Sequence, residues 1–127
     1  MAEPKFYICR KCGTMVGKIV DKCDSLTCCG QPMAALKANT TDGASEKHVP
    51  AVTVAGNTVT VKVSSVDHPM ADDHWIQWIY LQTEKGGQRK SLNPGEKPEA
   101  VFVLENDRPV AAYEYCNKHG LWKADIK

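Results

Sequence analysis

The chain has 127 residues, a formal net charge of +1 and 43% hydrophobic residues. That is room for one domain with a small appendage, and enough apolar material for a real core. The near-neutral balance gives no electrostatic case for nucleic acid or an anionic membrane. No stretch reaches the apolar length that spans a bilayer, and the opening run from Met1 to Tyr7 lacks the apolar character of a signal peptide. The expected compartment is the cytoplasm, where thiols stay reduced, so the six cysteines read as metal ligands sooner than as disulfides.

Cys9-Arg10-Lys11-Cys12 is a C-x-x-C pair, and Cys28 and Cys29 follow as a directly adjacent pair. Two intervening residues let the sulfurs of Cys9 and Cys12 converge from a tight turn. Four thiolates make a tetrahedral site for zinc or a single iron. The adjacency of Cys28 and Cys29 departs from the usual second C-x-x-C and should distort that tetrahedron. Gly13 and Gly30 each follow a ligand pair, where a positive φ is often needed. A thioredoxin-like redox pair is the alternative, but no βαβ pattern surrounds it. Cys23 fits no site and reads as a spare thiol. Tyr7-Ile8 and Met15-Val16 read as short strands and Gly30-Gln31-Pro32 as a turn. So few apolar residues cannot build a core alone, and the metal would supply part of the folding energy. The polar run from Ala38 to Ser45 reads as a linker.

Beyond it, Val52 and Val54, then Val59, Val61 and Val63, alternate with small or polar residues around Ala55-Gly56-Asn57, a β-hairpin signal. Trp75 to Leu81 is aromatic and β-branched, hence another strand. Gly86-Gly87 is expected to turn it towards Gln88–Leu92. Ala100–Leu104, Val110–Tyr115 and Leu121–Ile126 complete the series. No segment has a convincing helical period. About seven short strands with frequent turns predict an immunoglobulin-like antiparallel β-sandwich.

All four histidines, His48, His68, His74 and His119, lie in this second region with Cys116. Imidazole and thiolate suit iron, copper, nickel or zinc better than magnesium or calcium. Five such ligands overfill the four-coordinate geometry usual for zinc, which points to a five-coordinate iron with its sixth position open. The candidates sit near strand ends and in loops, where distant residues can meet at one end of a sandwich. Cys116 and His119 share one turn, so His119 is expected to bind through the nearer Nδ1. Taken singly, each has a bland alternative: His74 beside Asp72 and Asp73 as a solvated surface residue, Cys116 as an inert buried thiol.

Together these motifs resemble desulfoferrodoxin, the two-domain form of superoxide reductase. Cys9-x-x-Cys12 with Cys28-Cys29 is similar to its desulforedoxin module. Glu46-Lys47-His48-Val49-Pro50, His68-Pro69-Met70, His74 and Cys116-Asn117-x-His119-Gly120 are similar to its catalytic motifs. The resemblance covers nearly the whole chain; Cys23 has no place in it. It implies a desulforedoxin-like domain over 1–37, a linker over 38–45 and a catalytic β-sandwich over 46–127. It implies two iron ions per chain, one on Cys9, Cys12, Cys28 and Cys29, the other on four histidines in a plane with Cys116 axial. It implies one-electron reduction of superoxide to hydrogen peroxide, a rubredoxin-type donor and a homodimer. Lys47 would attract the anion and orient a proton-delivering water, and Glu46 would supply a carboxylate to the vacant iron position. The rival classes are a pure electron carrier, a zinc-dependent structural module and, within enzymes, a dismutase.

Overall fold

The computed structural model describes residues 3–41, 45–64 and 68–126, with the side chains of 45 and 46 left aside. The chain divides into two compact units, Met1–Lys37 and Ala38–Lys127.

In the first unit, β1 (Lys5–Ile8) pairs antiparallel with β2 (Met15–Lys18) on one edge and with β5 (Ala34–Ala35) on the other. A separate two-stranded ribbon joins β3 (Thr27–Cys28) to β4 (Gln31–Pro32). The turn expected at Gly30-Gln31-Pro32 lies one residue earlier. Cys29 (φ 54°) and Gly30 (φ 74°) form the loop, and Gln31 already pairs with Cys28. Two successive left-handed residues are what the tight two-residue hairpin requires. Among the described residues, only Ile8 and Cys9 of this unit are buried apolar side chains.

The second unit opens with a single helical turn, α1 (Ser45–His48), which alternation had not signalled. Among its described residues it holds two antiparallel sheets. One has the order β10-β7-β6: β6 (Ala51–Ala55), β7 (Thr58–Lys62) and β10 (Glu99–Val103). The other has the order β12-β11-β8-β9: β8 (Ile76–Thr83), β9 (Gly86–Ser91), β11 (Pro109–Cys116) and β12 (Gly120–Asp125). The expected hairpin is β6–β7, with Val52 opposite Val61 and Val54 opposite Val59. Gly86-Gly87 is not the turn that was expected. Both glycines belong to β9, paired with Thr83 and Gln82 of β8. The Tyr80 side chain lies over Gly87, where a Cβ would come within 2.1 Å of its hydroxyl. Glycine is therefore there for close approach.

The core lies between the sheets. Val59, Val61, Ala100 and Phe102 from one meet Ile76, Ile79, Leu81, Ala112 and Cys116 from the other. Alternation puts these residues on one face of each strand, except Ile76, which the register shift between Tyr115 and Cys116 brings to the core face of β8. The free edge of β10 is capped from β9: Lys90 Nζ donates to the Val101 carbonyl, and Gln88 Nε2 to the Val103 carbonyl at 3.1 Å. Asn39 pairs with the free edge of β12. Its N–H donates to the Leu121 carbonyl (3.0 Å), its Nδ2 to the Lys123 carbonyl (3.2 Å), and its Oδ1 accepts from the Lys123 N–H (2.9 Å). The first residues of the stretch read as a linker thus pack onto the second unit, while 42–44 lie outside the described residues.

Candidate metal centres

The first unit gathers Cys9, Cys12, Cys28 and Cys29, with all sulfurs within 4.8 Å of one another. The knuckle around Cys9 is closed by Gly13 N–H donating to the Cys9 carbonyl and Cys9 N–H to the Thr14 carbonyl, both at 2.8 Å. Gly13 takes φ 86°, as the sequence position suggested. Cys12 Sγ lies 3.7 Å from Cys28 Sγ, and Cys28 Sγ 3.9 Å from Cys29 Sγ. A tetrahedron with metal–sulfur bonds of about 2.3 Å has edges of about 3.8 Å, so the set fits one thiophilic ion. The Thr14 hydroxyl, 3.2 Å from Cys12 Sγ, holds that thiol down at about 6, and Cys12 in turn pushes Cys28 up to about 12. Thiols this crowded cannot all ionise without a cation among them. Cys23 is exposed and stands outside the group.

The second unit brings together His48, His68, His74 and Cys116, again with ligand atoms within 4.8 Å of one another. Each comes from a different local device. His48 ends the helical turn α1. His74 sits at the close of a tight turn in which Ala71 and His74 exchange backbone hydrogen bonds of 3.0 and 3.1 Å. Cys116 ends β11, where a register shift between Tyr115 and Cys116 terminates regular pairing with β8. His119 follows in the turn to β12, ended by Gly120 at φ 84°. His119 stands outside the set of mutually close ligand atoms, but its ring completes a cycle. Ring centroids run His48–His68 4.7 Å, His68–His74 4.8 Å, His74–His119 5.1 Å and His119–His48 4.8 Å.

The donor chemistry fits a bound cation. His68 Nδ1 lies 2.7 Å from the Pro69 carbonyl, which can only accept, so Nδ1 carries the proton and Nε2 offers a lone pair. That Nε2 faces His48 Nε2 at 3.1 Å. Two bonds of about 2.1 Å at a right angle would separate two ligand nitrogens by about 3.0 Å. His74 Nε2 is buried without a hydrogen-bond partner. Burial pushes His68 down to about 4, with the neighbouring histidines adding to the effect, and burial also lowers His74. Both are therefore neutral, ligand-ready imidazoles at pH 7. Cys116 is fully buried, and burial raises its thiol, while backbone N–H groups of Lys118 and His119 directed at the sulfur favour the thiolate. Glu114, two residues earlier, is fully buried with neither carboxylate oxygen paired, and burial raises its pKa well above the ordinary value.

Lys47 is exposed beside His48. The side chain of Glu46 lies outside the described residues. Lys118, 3.9 Å from Asp73, and Lys47 both add positive potential at His74, which Asp73 offsets.

Three positioning contacts escaped sequence reasoning. Asn117 clamps the peptides on both sides of His74: its Oδ1 accepts from Trp75 N–H (2.9 Å) and its Nδ2 donates to the Asp73 carbonyl (3.0 Å). The Thr41 hydroxyl donates to the His119 carbonyl. Trp122 donates to the same carbonyl from Nε1 (3.0 Å) and stacks on His48. The place of Asn117 between Cys116 and His119 was the one available signal.

The Desulfoferrodoxin family model matches residues 40–125. A desulfoferrodoxin of Nitratidesulfovibrio vulgaris is 46% identical over 121 residues, covering 95% of each chain. The chain belongs to the desulfoferrodoxin family. A second desulfoferrodoxin, from Syntrophotalea carbinolica, is 45% identical over 126 residues, covering 98% of this chain and 99% of its own. Among solved structures, the superoxide reductase of Treponema pallidum superposes with a TM-score of 0.83 at 37% identity, over 97% of this chain and 98% of the other. Desulfoferrodoxin similarity thus spans both cysteine and histidine groups. No helix among the described residues is long and apolar enough to cross a membrane.

Proposed function

We propose that the chain is a superoxide reductase, converting superoxide and two protons, with one electron, to hydrogen peroxide. The observation that carries this reading is the His48–His68–His74–Cys116 cluster, buried but for half-buried His74, with the His119 ring closing the circuit and His74 Nε2 unpartnered. Its support is the family membership and the likeness to a protein named superoxide reductase. Four imidazoles and a thiolate would hold an iron ion there, which when bound supplies the electron and an open coordination position. Cys9, Cys12, Cys28 and Cys29 would hold a second iron, structural or electron-storing and not needed for the chemistry.

The chain's own groups then divide the work. Exposed Lys47 attracts the small anion and orients the water that delivers a proton. Glu46, two residues before His48, would offer a carboxylate to a metal held by that cluster. The N–H groups directed at Cys116 favour its thiolate against the burial that disfavours it, and would temper the sulfur's donation to a bound cation. His119 would offer Nδ1, the nitrogen nearer its backbone, to a metal held there. The working boundaries are 1–37 for the cysteine domain, 38–45 for a connection whose Asn39 and Thr41 pack onto the second unit, and 46–127 for the catalytic domain. A rubredoxin-type donor, a homodimer and a cytoplasmic location complete the reading.

The test is the peroxide yield when anaerobically reduced protein meets a limiting pulse of superoxide. Reductase chemistry gives one peroxide per superoxide and no dioxygen. Half that yield with dioxygen would mean dismutation. A yield matching the protein-free control would leave an electron carrier or a zinc module, which metal analysis separates.

A further inference from the structure

We infer that Trp122 is a positioning residue for the His/Cys centre, fixing the ring of His48 by stacking and the seat of His119 by a hydrogen bond. The inference rests on His48 and His119 acting as ligands. The indole and the His48 imidazole are stacked at 5.0 Å with only 24° between their planes. The imidazoles that flank His48 meet it edge-on, at 75° for His68 and 68° for His119. Trp122 is thus the flat wall against which His48 lies. Rotation of the imidazole away from its present plane runs into the indole, and that plane is the one that aims Nε2 at His68 Nε2, 3.1 Å away.

The same side chain reaches the other ligand. Nε1–H donates to the His119 carbonyl at 3.0 Å, and this carbonyl also accepts from the Thr41 hydroxyl. A buried indole N–H needs an acceptor. Here the acceptor belongs to a ligand residue, in the turn whose N–H groups approach Cys116. Trp122 is only 4% exposed and is held in β12 opposite Glu114 of β11, so sheet pairing fixes the indole independently of the metal. One rigid group therefore ties two ligands that are 71 positions apart in sequence (119 − 48). Partners that orient ligands typically change metal affinity by roughly 10–100-fold.

The experiment loads the full chain with Co(II) and measures the visible d–d bands and the affinity of the His/Cys site by chelator competition. The His48→Ala/His74→Ala/Cys116→Ser chain, which lacks most of the His/Cys donors, serves as the blank for cobalt on the four cysteines. Trp122→Phe keeps a flat ring over His48 and removes the N–H; Trp122→Leu removes both. Expected are a loss of roughly threefold to tenfold for the Phe variant and roughly 10–100-fold for the Leu variant. Shifted d–d bands accompany the loss at the His/Cys site, with cobalt on the four cysteines held as before. Should the Leu variant fail to fold, the Phe variant decides. Parent-like affinity and bands in the folded variants would overturn the role of Trp122 alone. Equal weakening at the four cysteines would overturn it too, marking general destabilisation. A parent chain that takes up no cobalt beyond the blank would instead overturn the ligand reading itself.

Discussion

Replacing Gly120 by alanine tests how tightly the His119 turn is built. Gly120 has φ 84°, a left-handed conformation that costs an L-residue about 1–2 kcal/mol. The added Cβ would also lie 3.0 Å from Thr41 Cγ2 and 3.3 Å from its Oγ1. Thr41 must then give way by a few tenths of an ångström, and it is the residue whose hydroxyl holds the His119 carbonyl. Weakening that hydrogen bond adds about 0.5–1 kcal/mol. The sum is about 2 kcal/mol, which for a unit of this size lowers the melting midpoint by roughly 8–16 °C. Thermal unfolding of the metal-loaded chain, followed by near-UV circular dichroism, measures it. The double variant Gly120→Ala/Thr41→Ser removes Cγ2 and keeps the hydroxyl, so it should recover the contact part of the loss and leave the backbone part. An unchanged midpoint in Gly120→Ala would refute the reasoning. A double variant no more stable than the single one would show that Thr41 is not the obstacle.

Other perturbations probe separate links. Lys47→Ala should slow superoxide capture several-fold at low salt and flatten its dependence on ionic strength, as read by pulse radiolysis; an unchanged rate at low salt removes Lys47 from the mechanism. Cys116→Ser should abolish the thiolate charge-transfer absorption of the iron centre and leave the colour of the four-cysteine site; full activity in that variant would sink Cys116 as a ligand. Chelating the metal from Cys9, Cys12, Cys28 and Cys29 should unfold the first unit, which buries only Ile8 and Cys9 among its described apolar residues. Limited proteolysis should then cut within 3–37 while the second unit resists, and an equally resistant first unit would contradict this. Phe102→Ala, at a fully buried position between the sheets, should cost about 3–5 kcal/mol in denaturant unfolding; a loss below the cost of a surface substitution would misplace the core.

What the sequence made legible was what depends on residue type and period. The valines of β6 and β7 announce a hairpin because a strand buries every second side chain. Cysteine and histidine announce ligands because few other side chains bind soft metals. Gly86-Gly87 misled because glycine serves both turns and close approaches, and only the packing of Tyr80 over Gly87 tells which. The helical turn ending at His48 is too short to show a period. Asn39, Thr41 and Trp122 were silent for another reason. Their roles are made by tertiary pairing with residues up to 84 positions away, and nothing local distinguishes such an asparagine or tryptophan from any other.

The pairing of Asn39 with β12 also says where the histidine-bearing unit must begin. A shortened chain starting at residue 46 would keep all four histidines and Cys116. It would nonetheless strip the outer edge of β12, baring the carbonyls of Leu121 and Lys123 and the Lys123 N–H. It would also remove Thr41 from the His119 carbonyl. An uncovered strand edge is a template for another chain. Such a fragment would gain a route to edge-to-edge association and hold the His119 turn less firmly. Asn39 and Thr41, which stand outside the His/Cys group, thus separate a fragment with a covered β12 edge from one with a bare edge.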